Sequence, residues 1–203
     1  MNTNIDNTAT LLEESMSDYL VVVNPDVIVT KDIIRIRQFI AREIGDESMV
    51  GSAVHIPLFR SVFPERFEQD FIELLEGVSR KQAGFAIYTS RVDSHRNADG
   101  RDSLFINVAN VKPLVALHQQ LLQAFELPMQ DYRPHIMVAG RIQNTAFARV
   151  LPQISQQMFV RSFNCHCFSL LKRGAVGGKY VKVRDFVFGD IEHMVGSLFN
   201  YAA

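Results

Sequence analysis

The chain has 203 residues, is 47% hydrophobic and carries a net charge of −1 at pH 7. That length can bury a sizeable core, as one domain or as two small intimate lobes. The balanced charge excludes a broad nucleic-acid or membrane-surface binder, but not a protein that holds a small anion with a few local cations.

The first 17 residues are polar, lack the basic start and apolar run of a signal peptide, and are expected to be a flexible segment. "YLVVVNP" from Tyr19 is a short aliphatic run ended by Asn24-Pro25 and predicts a buried strand. From Thr30, Ile33, Ile36, Phe39 or Ile40 and Ile44 fall on one helical face, with Gly45 as a stop. "AVHIPLF" predicts a second strand. "FPERFEQDFIELLEGV" predicts a helix with Pro64 near its first turn. "GFAIYTSRV" and "SLFINVA" predict strands around the polar loop DSHRNADGRD.

The same order then recurs. "VKPLVALHQQLLQAFEL" predicts a helix, "PHIMVAG" a strand, and "NTAFARVLPQISQQM" a helix with Asn144 as its N-cap. Two strands, "FNCHCFSLLKR" and "KYVKVRDFVFG", close the pattern around the turn GAVGG. A helix, a histidine-bearing strand, a second helix and a strand pair therefore occur twice. This predicts an α+β fold, bilobal, with two pseudo-symmetric lobes, each a mainly antiparallel sheet with helices, and a central cleft between them. Residues 18–189 make up this two-lobed unit, and the tail 190–203 is expected to be a short helix or docking segment. No apolar stretch is long enough to span a bilayer.

Strand side chains alternate between faces. In "AVHIPLF", Val54, Ile56 and Leu58 point to the core, while His55 and Pro57 point the other way. In "PHIMVAG", Ile136 and Val138 go to the core, while His135 and Met137 share the opposite face. Facing imidazoles make an acid/base pair, because histidine titrates near neutrality and one can accept a proton while the other donates. That division suits in-line attack on a phosphodiester. A histidine in an apolar strand is more often a hydrogen-bonded structural residue, so the shared setting of the two is what raises them above the ordinary case.

These residues resemble the two-histidine phosphoesterase superfamily, which includes the 2′-5′ RNA ligase-like proteins and cyclic phosphodiesterases. "RPHIMVAGR" is similar to its second His-hydrophobic-Thr/Ser-hydrophobic motif, with a Gly inserted before Arg141, and "VHIPLF" to its first. "SFNCHCFSLLKRG" followed by "KYVKVRDFVFG" resembles its closing strand pair, and "YLVVVNPD" its opening strand. The likeness covers roughly Asp18 to Gly189. It implies catalysis by His55 and His135 on an RNA end or cyclic nucleotide, at a 2′,3′-cyclic or 2′-5′ phosphodiester. It implies no metal, no organic cofactor, no membrane and no obligate protein partner, and a cytoplasmic, reduced setting agrees with the two cysteines.

The chain departs from the motif where the family has phosphate-binding hydroxyls: Pro57 and Met137 stand there. Neither side chain can donate a hydrogen bond, and Pro57 lacks a backbone N–H as well. Two outcomes follow, a weakened enzyme or a non-catalytic nucleotide or RNA-end binder that keeps the cleft; use of the fold as an interaction scaffold alone is a third. Substitute phosphate holders are Arg141, Arg133, Lys172 and Arg173, with Arg91, His95, Arg96 and Arg101 in or beside the polar loop. Tyr132 or Phe59 could stack on a base. Cys165 and Cys167 share one strand face and read as core thiols, since zinc wants three or four ligands. His118 is expected on a partly exposed helix face and His193 in the tail. Asp131 could orient His135, or be an ordinary turn residue.

Overall fold

The computed structural model describes residues 15–155 and 158–189. The chain runs β1 (Met16–Val23), α1 (Val27–Ile44), β2 (Ile56–Pro64), a single 3-10 turn (Glu65–Phe67) and α2 (Glu68–Lys81). It continues through β3 (Phe85–Arg96), β4 (Asp102–Val108), α3 (Lys112–Ala124), β5 (His135–Ile142) and α4 (Asn144–Ile154). It closes with β6 (Ser162–Cys165), β7 (Cys167–Gly174) and β8 (Val181–Val187). The expected tail segment and His193 lie outside the described residues.

All strand pairs are antiparallel, in two four-stranded sheets of order β2-β1-β7-β8 and β5-β4-β3-β6. The α+β, two-lobed expectation holds, but the lobes are not the two halves of the chain. Each sheet is built on a strand–helix–strand unit, β1-α1-β2 or β4-α3-β5, whose last strand carries the histidine motif at the sheet edge. The run expected as one strand breaks at His166: β6 ends on Cys165 in the second sheet, and β7 starts at Cys167 in the first. The two cysteines therefore flank a crossing between sheets rather than share a strand face. Cys165 is buried, and desolvation pushes its thiol up to about 12.

Local chemistry accounts for most boundaries. Asp26 caps α1 by accepting from the Val29 N–H at 2.8 Å, so the helix starts three residues before Thr30. Gly45, at φ 75°, ends it. Pro64 closes β2 instead of opening α2. Asn144 is the first residue of α4, and Gln143 occupies the cap position without a side-chain bond.

Tyr19, Val21 and Val23 of β1 are essentially sealed from solvent and pack with Ile33 and Ile40 of α1 and Leu75 of α2. Burying each such side chain contributes roughly 1.5–3 kcal/mol. The lobes join through an aromatic stack, with Phe59 of β2 at 5.1 Å and Phe71 of α2 at 4.6 Å from Phe125, which follows α3.

Candidate functional site

Both histidine strands carry a β-bulge, and the bulges decide which side chains reach the space between the sheets. Opposite β1, Val22 pairs with Pro57 and Val21 with Phe59, leaving Leu58 as the extra residue. Alternation resets there. Phe59 turns inward to stack on Phe71 and Phe125, which commits its ring to the core. Arg60, which strict alternation would send to the core, lies opposite Leu20 on the cleft face. Because β2 is an edge strand and Pro57 sits at its bulge, the missing N–H is tolerated.

In β5 the register breaks twice, first at Val138, the extra residue between the Met137–Phe105 and Ala139–Leu104 pairs. Ala139 pairs with Leu104 and Ile142 with Asp102, so Gly140 and Arg141 both fall opposite Ser103. Arg141 adopts a left-handed φ of 58°, pairs with Asp99 at 3.1 Å and lines a separate cavity of about 300 Å³ together with Arg37 and Arg101. It is not among the groups lining the cleft.

The cleft has a volume of about 680 Å³. The first sheet contributes Leu20, Pro57, Leu58, Phe59 and Arg60. The second lobe contributes His135, Met137, Phe105, Ser103, His95 and Asn97, with Tyr132 and Arg133 just before β5. His135 is held by a hydrogen bond of 2.8 Å between its Nδ1 and the Arg133 carbonyl, which can only accept, so Nδ1 carries a proton and Nε2 is left for chemistry. Its ring stands 5.3 Å from that of Phe105. Asp131 has no part in this; the main chain orients the imidazole.

His55 precedes β2 and lines an adjoining cavity of about 570 Å³ with Ser48, Ser52, Leu171, Lys179 and Tyr180. The two cavities are neighbours on one sheet face, because Leu20 of the first and Leu171 of the second are cross-strand partners. The His55 Nδ1 is buried without a partner. Burial, and then the nearby Arg37 charge, push its pKa below the ordinary 6.5.

The cationic candidates separate clearly. Arg133 faces the cleft, 3.5 Å from Asp93 and above Phe105. Lys172 pairs with Tyr19 in the ladder, on the helix side of the first sheet, and is tied to Glu68 at 2.7 Å and Glu65 at 3.4 Å. It cannot reach the cleft, contrary to the expectation from its place beside the GAVGG turn. Arg173 is on the cleft face but donates to Asp18 at 2.8 Å and lies over the Tyr180 ring. Asp18 also receives a two-pronged bond from Arg60, at 2.9 and 2.8 Å, and the Tyr180 hydroxyl at 2.8 Å. Chiefly through Arg60, and against burial, these donors hold its carboxyl down at about 2.

Tyr132 is not free to stack on a base. Its ring lies 4.3 Å from that of His118, its hydroxyl donates to the Pro57 carbonyl at 2.9 Å, and desolvation pushes its pKa up. His118 is buried rather than partly exposed, and its Nδ1 donates to the Leu58 carbonyl at 2.7 Å. Both residues thus support the bulge from below. Arg91 and Arg96 do not line the cleft, and Arg101 faces the cavity behind β5. Among the described residues there is no cluster of three or more His, Cys, Asp or Glu suited to a metal.

Sequence reasoning missed Asp18, Arg37, Arg60, Lys179 and Tyr180. The only signal for Arg60 was its place five residues after His55, and simple alternation put it on the wrong face. Lys179 and Tyr180 follow directly on the glycine-rich turn, next to the two cations that were singled out.

Each of the two antiparallel sheets thus has a histidine at the start of an edge strand, with His135 lining the cleft and His55 lining the adjoining cavity. The chain belongs to the 2′-5′ RNA ligase superfamily, whose family model matches residues 25–177. Among solved structures it is similar to TT0787 of Thermus thermophilus, at 16% identity and a TM-score of 0.62, covering 85% of this chain and 98% of that one. It is likewise similar to E. coli LigT complexed with 3′-AMP, at 14% identity and a TM-score of 0.62, covering 86% and 98%. LigT complexed with NADP+ matches at 15% identity and a TM-score of 0.61, covering 86% and 99%. No curated protein matches the sequence. No helix among the described residues is long and apolar enough to cross a membrane.

Proposed function

We propose that this chain is a phosphodiesterase of low turnover acting on a small nucleotide, at a 2′,3′-cyclic or 2′-5′ phosphodiester. The observation that carries the reading is the unlike treatment of the two imidazoles. His55 is kept neutral by burial beside a fixed positive charge, the state a general base requires. His135 has Nδ1 committed as a donor and Nε2 turned to the cleft, an arrangement that accommodates the imidazolium of a general acid. In the reaction, water attacks phosphorus and gives its proton to His55. The bond from phosphorus to the 2′-oxygen breaks, and that oxygen takes the proton of His135. Arg60, fixed by Asp18, and Lys179 beside His55 supply positive charge to the phosphate. That LigT has been solved with 3′-AMP and with NADP+ supports a small nucleotide as ligand.

The low turnover follows from Pro57 and Met137, which put a pyrrolidine ring and a thioether on the cleft wall and no side-chain donor. The same observation favours the second reading, a nucleotide binder without chemistry. Steady-state hydrolysis of 2′,3′-cyclic AMP from about pH 5 to pH 9, beside calorimetric titration with 3′-AMP, separates them. A bell-shaped kcat/KM lost in either His→Ala variant supports the enzyme. Binding of 3′-AMP with no turnover at any pH establishes the binder, and neither binding nor turnover removes both.

A further inference from the structure

Arg37 sits on α1, is only 3% exposed, and has no carboxylate partner among the described residues. A buried, unneutralised guanidinium is costly. Its hydrogen bonds show where it is used. Nη1 donates to the Ser52 carbonyl, and Nη2 to the carbonyls of Ala53 at 3.4 Å and Met137 at 2.8 Å. Ser52 and Ala53 lie three and two residues before His55. Met137 lies two residues after His135, on the strand of the other lobe. One rigid fork therefore grips the main chain next to both histidines, and it does so across the boundary between the sheets.

We propose that Arg37 is a positioning residue: by bonding the segment that leads into His55 and the strand that carries His135 at once, it sets the placement of one imidazole relative to the other. This rests on the two-histidine reading given above. The aromatic stack around Phe125 also joins the lobes, through the rings of Phe59 and Phe71. Tyr132, three residues before His135, makes a second tie by donating to the Pro57 carbonyl, while Arg37 reaches the main chain of both segments from a third element, α1.

The charge has a second effect. The charged and titratable groups facing His55 are Arg37 from α1 and Lys179 and Tyr180 from the turn between β7 and β8, while His135 and Arg133 line the neighbouring cavity. None of these is a carboxylate, so nothing in the first ring around His55 favours its charged form, and Arg37 opposes it. Hydrogen bonds to carbonyls leave the guanidinium charge undiminished, which a carboxylate partner would not.

The experiment measures the titration of both imidazoles by NMR in wild type, Arg37→Lys and Arg37→Met, together with kcat and KM for 2′,3′-cyclic AMP. In wild type, His55 is expected to titrate below an ordinary imidazole. Arg37→Met, which keeps the bulk and removes both charge and donors, should move the His55 midpoint upward. Arg37→Lys keeps the charge but replaces the planar two-nitrogen fork by a single ammonium, so His55 should still titrate low while kcat falls by about tenfold to a hundredfold at little change in KM, the size of loss that small misplacement produces. A merely structural residue would not split charge from geometry in this way. The proposal is overturned if wild-type His55 titrates like a free imidazole, if folded Arg37→Met leaves its midpoint unmoved, or if folded Arg37→Lys keeps kcat within about twofold of wild type. Should Arg37→Met fail to fold, the wild-type titration and Arg37→Lys decide by the same criteria. Absence of turnover in wild type refutes the enzymatic reading instead. In that case the positioning is read from the backbone signals of residues 52–56 and 135–139, which must both shift in Arg37→Lys; movement of one segment alone overturns it.

Discussion

The strands β2 and β5 hold equivalent places, each at the edge of its sheet and each with its register broken after its histidine, once in β2 and twice in β5, and the outcomes differ. In β2 the bulge at Leu58 carries Arg60 onto the cleft wall, where Asp18 fixes it. In β5 two successive irregularities, at Val138 and at Gly140–Arg141, leave Arg141 outside the cleft and paired with Asp99. The histidines differ in the same spirit: His135 is oriented by a carbonyl and open to the cleft, while His55 is sealed at Nδ1 beside a cation. A repeated motif thus provides two similar strands, and the register breaks, one in β2 and two in β5, decide what each strand offers a ligand.

The largest test removes one side of the comparison. Replacing either His55 or His135 by Ala is expected to lower kcat/KM by about 10²–10⁴-fold, the usual contribution of a positioned acid or base. The pH profile sharpens it. Because the rate needs neutral His55, its acid limb falls below 6.5, in the direction of the His55 shift. Activity that survives in His55→Ala would leave His135 and Arg60 as the working site and break the pairing.

Next comes the carboxylate that fixes Arg60. The Asp18 pKa is lowered from 3.8 to about 2, so its ionised form contributes stability that is fully present above 3.8 and is lost as pH falls through about 2. That shift corresponds to about 2 kcal/mol. Asp18→Asn should therefore unfold at lower urea concentration at neutral pH, and the gap from wild type should close in acid. An equal gap at both pH values would mean that the ion cluster is not its source.

Smaller still is the repair of the motif positions. Pro57→Thr with Met137→Thr is expected to raise hydrolysis of 2′,3′-cyclic AMP by about tenfold, well below the full worth of an oxyanion donor, because the surrounding walls were not built around hydroxyls. No gain in the double variant, with wild type already turning over at roughly 1–10³ s⁻¹, would show that Arg60 and Lys179 suffice. The smallest effect belongs to Tyr132→Phe, which removes one bond to the Pro57 carbonyl and should cost about 1 kcal/mol in chemical denaturation. A loss confined to stability, with kcat unchanged, would mark Tyr132 as support for the bulge and not as a contact of the nucleotide.

Local pattern alone makes much of this protein legible. Alternation in "AVHIPLF" and "PHIMVAG" separates Ile56, Ile136 and Val138, all sealed in the core, from Pro57 and Met137 on the cleft side. Helical periodicity places Ile33, Ile40 and Ile44 on one face of α1. Such features depend on neighbours a few residues away, and the chain carries that information in its spacing. The repeat of helix, histidine strand and helix is legible for the same reason.

What the sequence leaves open depends on partners far along the chain. A bulge is a mismatch between two strands, so neither "HIPLFR" nor "VAGR" alone says which side chain changes face. The switch of sheets at His166 depends on which strand edge each flanking segment meets, β3 for one and β1 for the other. Lys172 and Arg173 are adjacent in sequence, yet Glu68 draws one to the helix side and Asp18 draws the other to the cleft. His118 and Arg37 look like ordinary polar positions on amphipathic helices. Only the packed structure brings the carbonyls of Leu58 and Met137 to them, and a buried donor is tolerated where tertiary packing supplies such an acceptor.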